Sequence, residues 1–112
     1  MIKRIIDQQT QEGWQTPTLL NGFTTYTAES SVRYRKNQFG NVEFKGAVKD
    51  GNLNSSIFEL PSAYRPNTTK YWLVYTGGSV WGKIQIGSNG SVLCVSYSST
   101  LLALDGISFP LT

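Results

Sequence analysis

From Trp14 onward, apolar side chains recur at every second position. Val32-Tyr34-Lys36 alternates with Arg33-Arg35, and Val42-Phe44-Gly46-Val48 alternates with Glu43-Lys45-Ala47-Lys49. This is the pattern of strands with one dry face and one wet one. Asn37-Gln38-Phe39-Gly40-Asn41 lies between them as a hairpin connection in which glycine supplies positive φ, so the pair predicts an antiparallel hairpin. Lys49-Asp50-Gly51-Asn52 is the next turn and leads to a short strand from Ser56 to Leu60. Pro61 and Pro66 bracket Ser-Ala-Tyr-Arg and exclude a ladder strand there, because proline has no N–H to donate.

Beyond that elbow, Lys70 to Thr76 alternates again, with Tyr71-Leu73-Tyr75 on one side and Trp72-Val74 on the other. Gly77-Gly78 breaks the chain, Ser79 to Ile86 forms a strand, Ser88-Asn89-Gly90 turns, and Ser91 to Tyr97 runs back. A last strand is predicted from Leu101 through Phe109. About seven to nine short strands with turn signals every ~8–12 residues predict an antiparallel all-β domain, a jelly-roll-like β-sandwich or small barrel.

The start of the chain follows another period. Ile2, Ile5 and Ile6 fall at i, i+3 and i+4, and Gly13 ends the segment. A short N-terminal helical or flexible leader over residues 1–13 therefore precedes a single domain over 14–112. So short a helix is not stable alone, and three fates stay open: frayed, docked on the domain, or the stub of a helix that pairs with copies of itself.

Composition narrows the function. The chain has 112 residues, with 15% charged and 12% aromatic, enough for one core. The net charge of +3 is spread along the chain, and Tyr34 falls on the strand face opposite Arg33 and Arg35, so no basic aromatic surface for nucleic acid forms. The longest apolar runs are far short of the ~20 residues a spanning helix needs. The chain contains no histidine and one cysteine. The usual general base, zinc-ligand spacings and Ser-His-Asp or Cys-His nucleophiles are excluded. Cys94, inside Val92-Leu93-Cys94-Val95, is expected to be a buried small hydrophobe.

Paired carboxylates remain as a glycosidase possibility among Glu29, Glu43, Asp50, Glu59 and Asp105. Glu43 falls on a wet strand face and Asp50 in an Asp-Gly turn, which favours solvated and turn-forming roles. No enzyme, no cofactor and no metal site is expected. Binding is better served. Trp72, Tyr75, Trp81 and Tyr97 crowd one stretch and are the candidate ligand-binding residues, rings on which the apolar face of a sugar can stack. Either Tyr71-Leu73-Tyr75 or Trp72-Val74 must be exposed or covered by another chain. Core filling and a subunit interface are the competing roles for these rings, and Trp14 is expected to be a lid over the entry segment.

The ordered segments Gly13-Trp14, Leu20-Asn21-Gly22, Val32-Arg33-Tyr34-Arg35-Lys36, Leu60-Pro61-Ser62-Ala63-Tyr64-Arg65-Pro66 and Leu104-Asp105-Gly106-Ile107-Ser108-Phe109 resemble the C-terminal head and adhesion domains of bacteriophage tail-fibre, baseplate and receptor-binding proteins. The resemblance implies a virion component of the phage tail or baseplate, a homotrimer, that attaches to the bacterial surface through cell-wall saccharide or another receptor and contacts other tail or baseplate proteins. The alternative it leaves is a purely structural accessory or trimerisation module. Val32, Tyr34, Val42, Phe44, Ile57, Leu60, Leu104, Ile107 and Phe109 match its core positions, and Tyr64, Arg65 and Pro66 its structural elbow. No long shaft precedes the domain, and an excised head, an internal-start product and a free-standing accessory protein all remain open.

Overall fold

The computed structural model describes residues 12–77, 81–96 and 101–111. The predicted leader falls almost wholly outside the described residues. Ten strands lie among those residues: β1 Thr24–Thr25, β2 Arg33–Lys36, β3 Asn41–Lys45, β4 Ala47–Lys49, β5 Ser55–Glu59, β6 Lys70–Val74, β7 Gly82–Ile86, β8 Ser91–Ser96, β9 Leu102–Ala103 and β10 Ser108–Pro110. They form three sheets, ordered β10-β3-β2, β1-β4-β9 and β5-β8-β7-β6, and every pairing is antiparallel. The all-β sandwich expected from the period-two pattern is the architecture found.

Two long strands of the sequence reading are each broken in two. Residues 41–49 alternate cleanly only as far as Lys45; Gly46 takes φ +105° and the next two residues, Ala47 and Val48, are both buried. The chain thereby passes from one sheet into another. Residues 101–109 do the same at the Asp105-Gly106 turn, where Gly106 takes φ +87°. The two breaks lie side by side: Leu104 N donates to Gly46 O at 2.8 Å, Phe44 N to Ile107 O at 2.9 Å, and Gly46 N to Asp105 Oδ1 at 2.8 Å. A corner of this kind lets a strand serve two sheets. Glycine is required at position 46, because a Cβ there would sit 2.5 Å from Ser31 O and 2.7 Å from Ser30 O.

A few backbone bonds then join the sheets. Ala103 N donates to Tyr75 O at 3.0 Å, tying β9 to the end of β6, and Leu20 N donates to Ile57 O at 2.8 Å, tying the entry segment to β5. Gln15 exchanges bonds with Tyr34 and so pairs alongside β2. The interior is one apolar cluster that contains all nine core positions named above, together with Phe58, Ile84, Ile86 and Val92. Its centre is aromatic: Tyr34 stacks on Phe58 at 6.0 Å, and Phe44 meets Phe58 at 5.5 Å and Phe109 at 6.1 Å. Rings at such distances add to the burial that drives folding.

Candidate functional site

Strand β6 decides which aromatic set faces outward. Val74 is buried and Trp72 is half-buried, tilted against Phe109 at 5.9 Å. Tyr71, Leu73 and Tyr75 therefore point to solvent, 59%, 71% and 55% exposed, and Trp81 joins them at 62%. The register places Leu73 opposite Lys83 and Tyr71 opposite Gln85. The Lys83 ammonium lies 5.2 Å from the Tyr71 ring centroid, a cation–π contact on the same outer face.

Between β6 and the turn that follows β9 the surface opens into a cleft of about 420 Å³. Trp72, Tyr75 and Trp81 line it, so three of the four candidate residues share one cavity. The fourth, Tyr97, lies outside the described residues. The chain after β6 is bonded to the β9 segment at Tyr75 and Thr76, through Ala103 N and Leu101 N, and the cleft lies beside this junction. Ile107 and Asp105 complete it. Those two were not among the residues the sequence reading singled out for binding, since they belong to what reads as a continuous closing strand. The Asp-Gly pair inside Leu104-Asp105-Gly106-Ile107 was the available signal of a turn.

Tyr64, Arg65 and Pro66 do not line this cleft. A 3-10 turn at Ser62–Tyr64 follows Pro61, and Arg65 is extended at φ −93°, as a residue before proline prefers. Arg65 Nε donates to Leu60 O at 2.9 Å and lies over Gly90, where a Cβ would come 2.5 Å from that nitrogen. The Tyr64 ring meets Tyr34 edge-on at 5.1 Å, and its hydroxyl donates to Glu12 Oε2 at 2.6 Å. That bond to a carboxylate pushes the Tyr64 phenol up to about 12, with burial adding to it. The elbow thus anchors the entry segment.

The remaining chemistry is bound up in structure. Arg35 Nε meets Glu43 Oε2 at 2.6 Å. Asp50 sits in a turn at φ +68°. Cys94 is fully buried, and desolvation pushes its thiol up to about 11, the opposite of what a reactive thiolate needs. Trp14 lies on the wet face of β2 and β3, with Arg35 Cζ 4.0 Å and Lys45 Nζ 4.5 Å from its ring centroid. Among the described residues no group of three His, Cys, Asp or Glu side chains is placed to hold a metal ion.

The whole architecture has a counterpart among solved structures. The receptor binding protein (gp15) of Listeria phage PSA superposes with a TM-score of 0.81 over 96% of this chain and 70% of its own length, at 20% identity. The fold is that of a phage receptor-binding protein. No family model and no curated protein matches the sequence. The resemblance read from the ordered segments thus holds at the level of the fold.

Proposed function

We propose that the chain is a head domain of a phage tail or baseplate, carried in the virion, that attaches to the bacterial surface by holding cell-wall saccharide in the cleft between β6 and the Asp105-Gly106 turn. The observation that carries this reading is the convergence of Trp72, Tyr75 and Trp81 on one solvent-open cavity whose rim includes the carboxylate of Asp105. Sugars present apolar ring faces and directional hydroxyls, and a cleft with aromatic walls and few polar groups suits both. The fold shared with a phage receptor-binding protein supports it. The role is one of binding rather than catalysis: Glu43 is engaged by Arg35 and Asp50 by its turn. Shallow sites of this kind gain avidity when several copies on one tail engage together. The test is adhesion of the whole chain to susceptible cells and to arrayed bacterial glycans. Binding that drops at least about tenfold in Trp81→Ala and Tyr75→Ala supports it; absence of binding to both cells and glycans overturns it.

A second reading is favoured by the exposed ladder of Tyr71, Leu73, Tyr75 and Trp81. Four large apolar side chains at such exposure leave roughly 500 Å² uncovered, at the upper end of what a monomer shows. As a structural module, the chain would bury this ladder against further copies in a homotrimer. Sedimentation decides: a trimer in which Trp81 is shielded from quenchers favours the interface, and a monomer with accessible tryptophans removes it.

A further inference from the structure

The hairpin β2–β3 carries two charged cross-strand pairs on its wet face, and they are built differently. Arg35 stands opposite Glu43, and the two form the one ion pair among the described residues. Arg33 stands opposite Lys45. Like charges directly opposite each other on antiparallel strands are destabilising, so this second pair is a cost that the first shows the same hairpin can avoid. The mismatched pair borders a polar pocket of about 330 Å³ with Ser30, Ser31, Glu29 and Asp105. Glu29 and Asp105 share the pocket, but neither comes within ion-pair distance of Arg33 or Lys45, so no carboxylate bridges the two cations. Asp105 Oδ1 accepts the Gly46 amide, Arg33 Nη1 donates to Val32 O, and the Lys45 ammonium leans on the Trp14 ring.

We infer that this pocket is an anion subsite, in which a carboxylate or phosphate group sits between the Arg33 guanidinium and the Lys45 ammonium, while the Ser30 and Ser31 hydroxyls stay donated to Thr27 O and Ala28 O. An anion there turns a like-charge pair into a bridged one, and the guanidinium fork matches either oxyanion. Asp105 borders both this pocket and the aromatic cleft. A saccharide lying in the cleft and crossing the Asp105-Gly106 turn delivers its acidic substituent to Arg33 and Lys45. The subsite therefore selects acidic over neutral surface glycans, and this step rests on the saccharide reading of the cleft. Gly106 leaves the crossing clear, because a Cβ there would meet nothing within 4 Å.

The test is an amide and side-chain NMR titration of the whole chain with inorganic phosphate, glucuronate and glucose separately, alongside a glycan array holding acidic and neutral members. Phosphate or glucuronate is expected to shift the signals of Arg33, Lys45 and Gly46 while glucose does not, and acidic glycans to exceed neutral ones by about tenfold on the array. Lys45→Glu, which gives Arg33 an opposite charge, should abolish the anion response with no fall in melting temperature, so loss of binding is separable from loss of fold. A stronger response to phosphate assigns a phosphodiester, and a stronger response to glucuronate a uronic acid. If neutral glycans bind and neither anion shifts Arg33 or Lys45, the subsite is refuted and the cleft reading stands. If the anions bind but no glycan does, the subsite stands and the saccharide reading falls.

Discussion

The sheet β5-β8-β7-β6 has two edges that the chain treats in opposite ways. At β5 the entry segment is drawn alongside: Leu20 N donates to Ile57 O and Asn21 Nδ2 to Ser56 O, both at 2.8 Å, and β5 itself ends in an exposed Glu59. At β6 nothing comparable covers residues 70–74 among the described residues, and the outward side chains are Tyr71 and Leu73. Proteins usually blunt a free edge with charge, proline or a covering loop, because an open apolar edge invites association. This chain owns such devices and uses them elsewhere: Gln15 pairs along β2, and Pro110 lies in β10, at the edge of its sheet. The apolar β6 edge is thus left open, and the cleft beside it is the site proposed for a partner.

If that contrast is right, truncation of large apolar groups should be costly inside the sandwich and nearly free on β6. The largest effect is expected for Phe58→Ala. Its ring is fully buried between Tyr34 and Phe44, and its loss should cost about 3–5 kcal/mol, read by chemical denaturation. Gly46→Ala comes next. It forces a side chain into φ +105° and against the carbonyls of Ser30 and Ser31, and about 2–3 kcal/mol should be lost. The corner between sheets would be the first part to loosen, seen as faster amide exchange at Phe44 and Leu104. A variant at either position as stable as the parent would mean the core and corner are not what hold the open edge in place.

Asn21→Ala tests the sealed edge. It removes the bond to Ser56 O and puts alanine at φ +55°, a combined cost of about 1–2 kcal/mol. Exchange at the Leu20 amide should rise with it. The other end of the entry segment answers to pH. Tyr64 donates to Glu12, and its folded value of about 12 lies above the ordinary 10. The neutral phenol is the form the fold prefers, so this contribution is whole below pH 10 and is lost as pH rises from 10 through 12. Cys94 behaves alike from 9 through 11. Alkaline melting curves of Tyr64→Phe should therefore flatten across the upper window only, whereas Cys94→Ala flattens the lower.

Much of this was legible in the residues. Period two located β2, β3 and β6, turn signals bounded β5, β7 and β8, and the alternation correctly put Val32, Tyr34, Val42 and Phe44 inward. The corner at Gly46 was hidden, because that glycine continues an apolar alternation locally while the sheet switch is set by contacts some sixty residues apart, such as Gly46 with Asp105. Short β1 carries almost no pattern of its own. For the cleft, the sequence offered the rings and their alternation but not which set would be outside; that is settled by Trp72 packing on Phe109. The opposition of Arg33 and Lys45 was readable once the hairpin is centred on Phe39, yet the pocket beside them depends on residues 28–31 folding back over Gly46.

The smallest effect on stability discriminates best between the two uses of the open edge. Tyr71 belongs to the exposed ladder but does not line the cleft, whereas Trp81 belongs to both. Tyr71→Ser should change stability by no more than about 0.5 kcal/mol, since the ring is mostly solvated and leans on the exposed Lys83. If the ladder is a subunit interface, this variant should sediment as a smaller species at concentrations where the parent associates. If the ladder is a rim around a saccharide cleft, association should be unchanged and glycan binding should survive, while Trp81→Ala loses it. A variant that alters neither leaves β6 open for a ligand held by the cleft alone, because the only apolar surface then needed is the one Trp72, Tyr75 and Trp81 share.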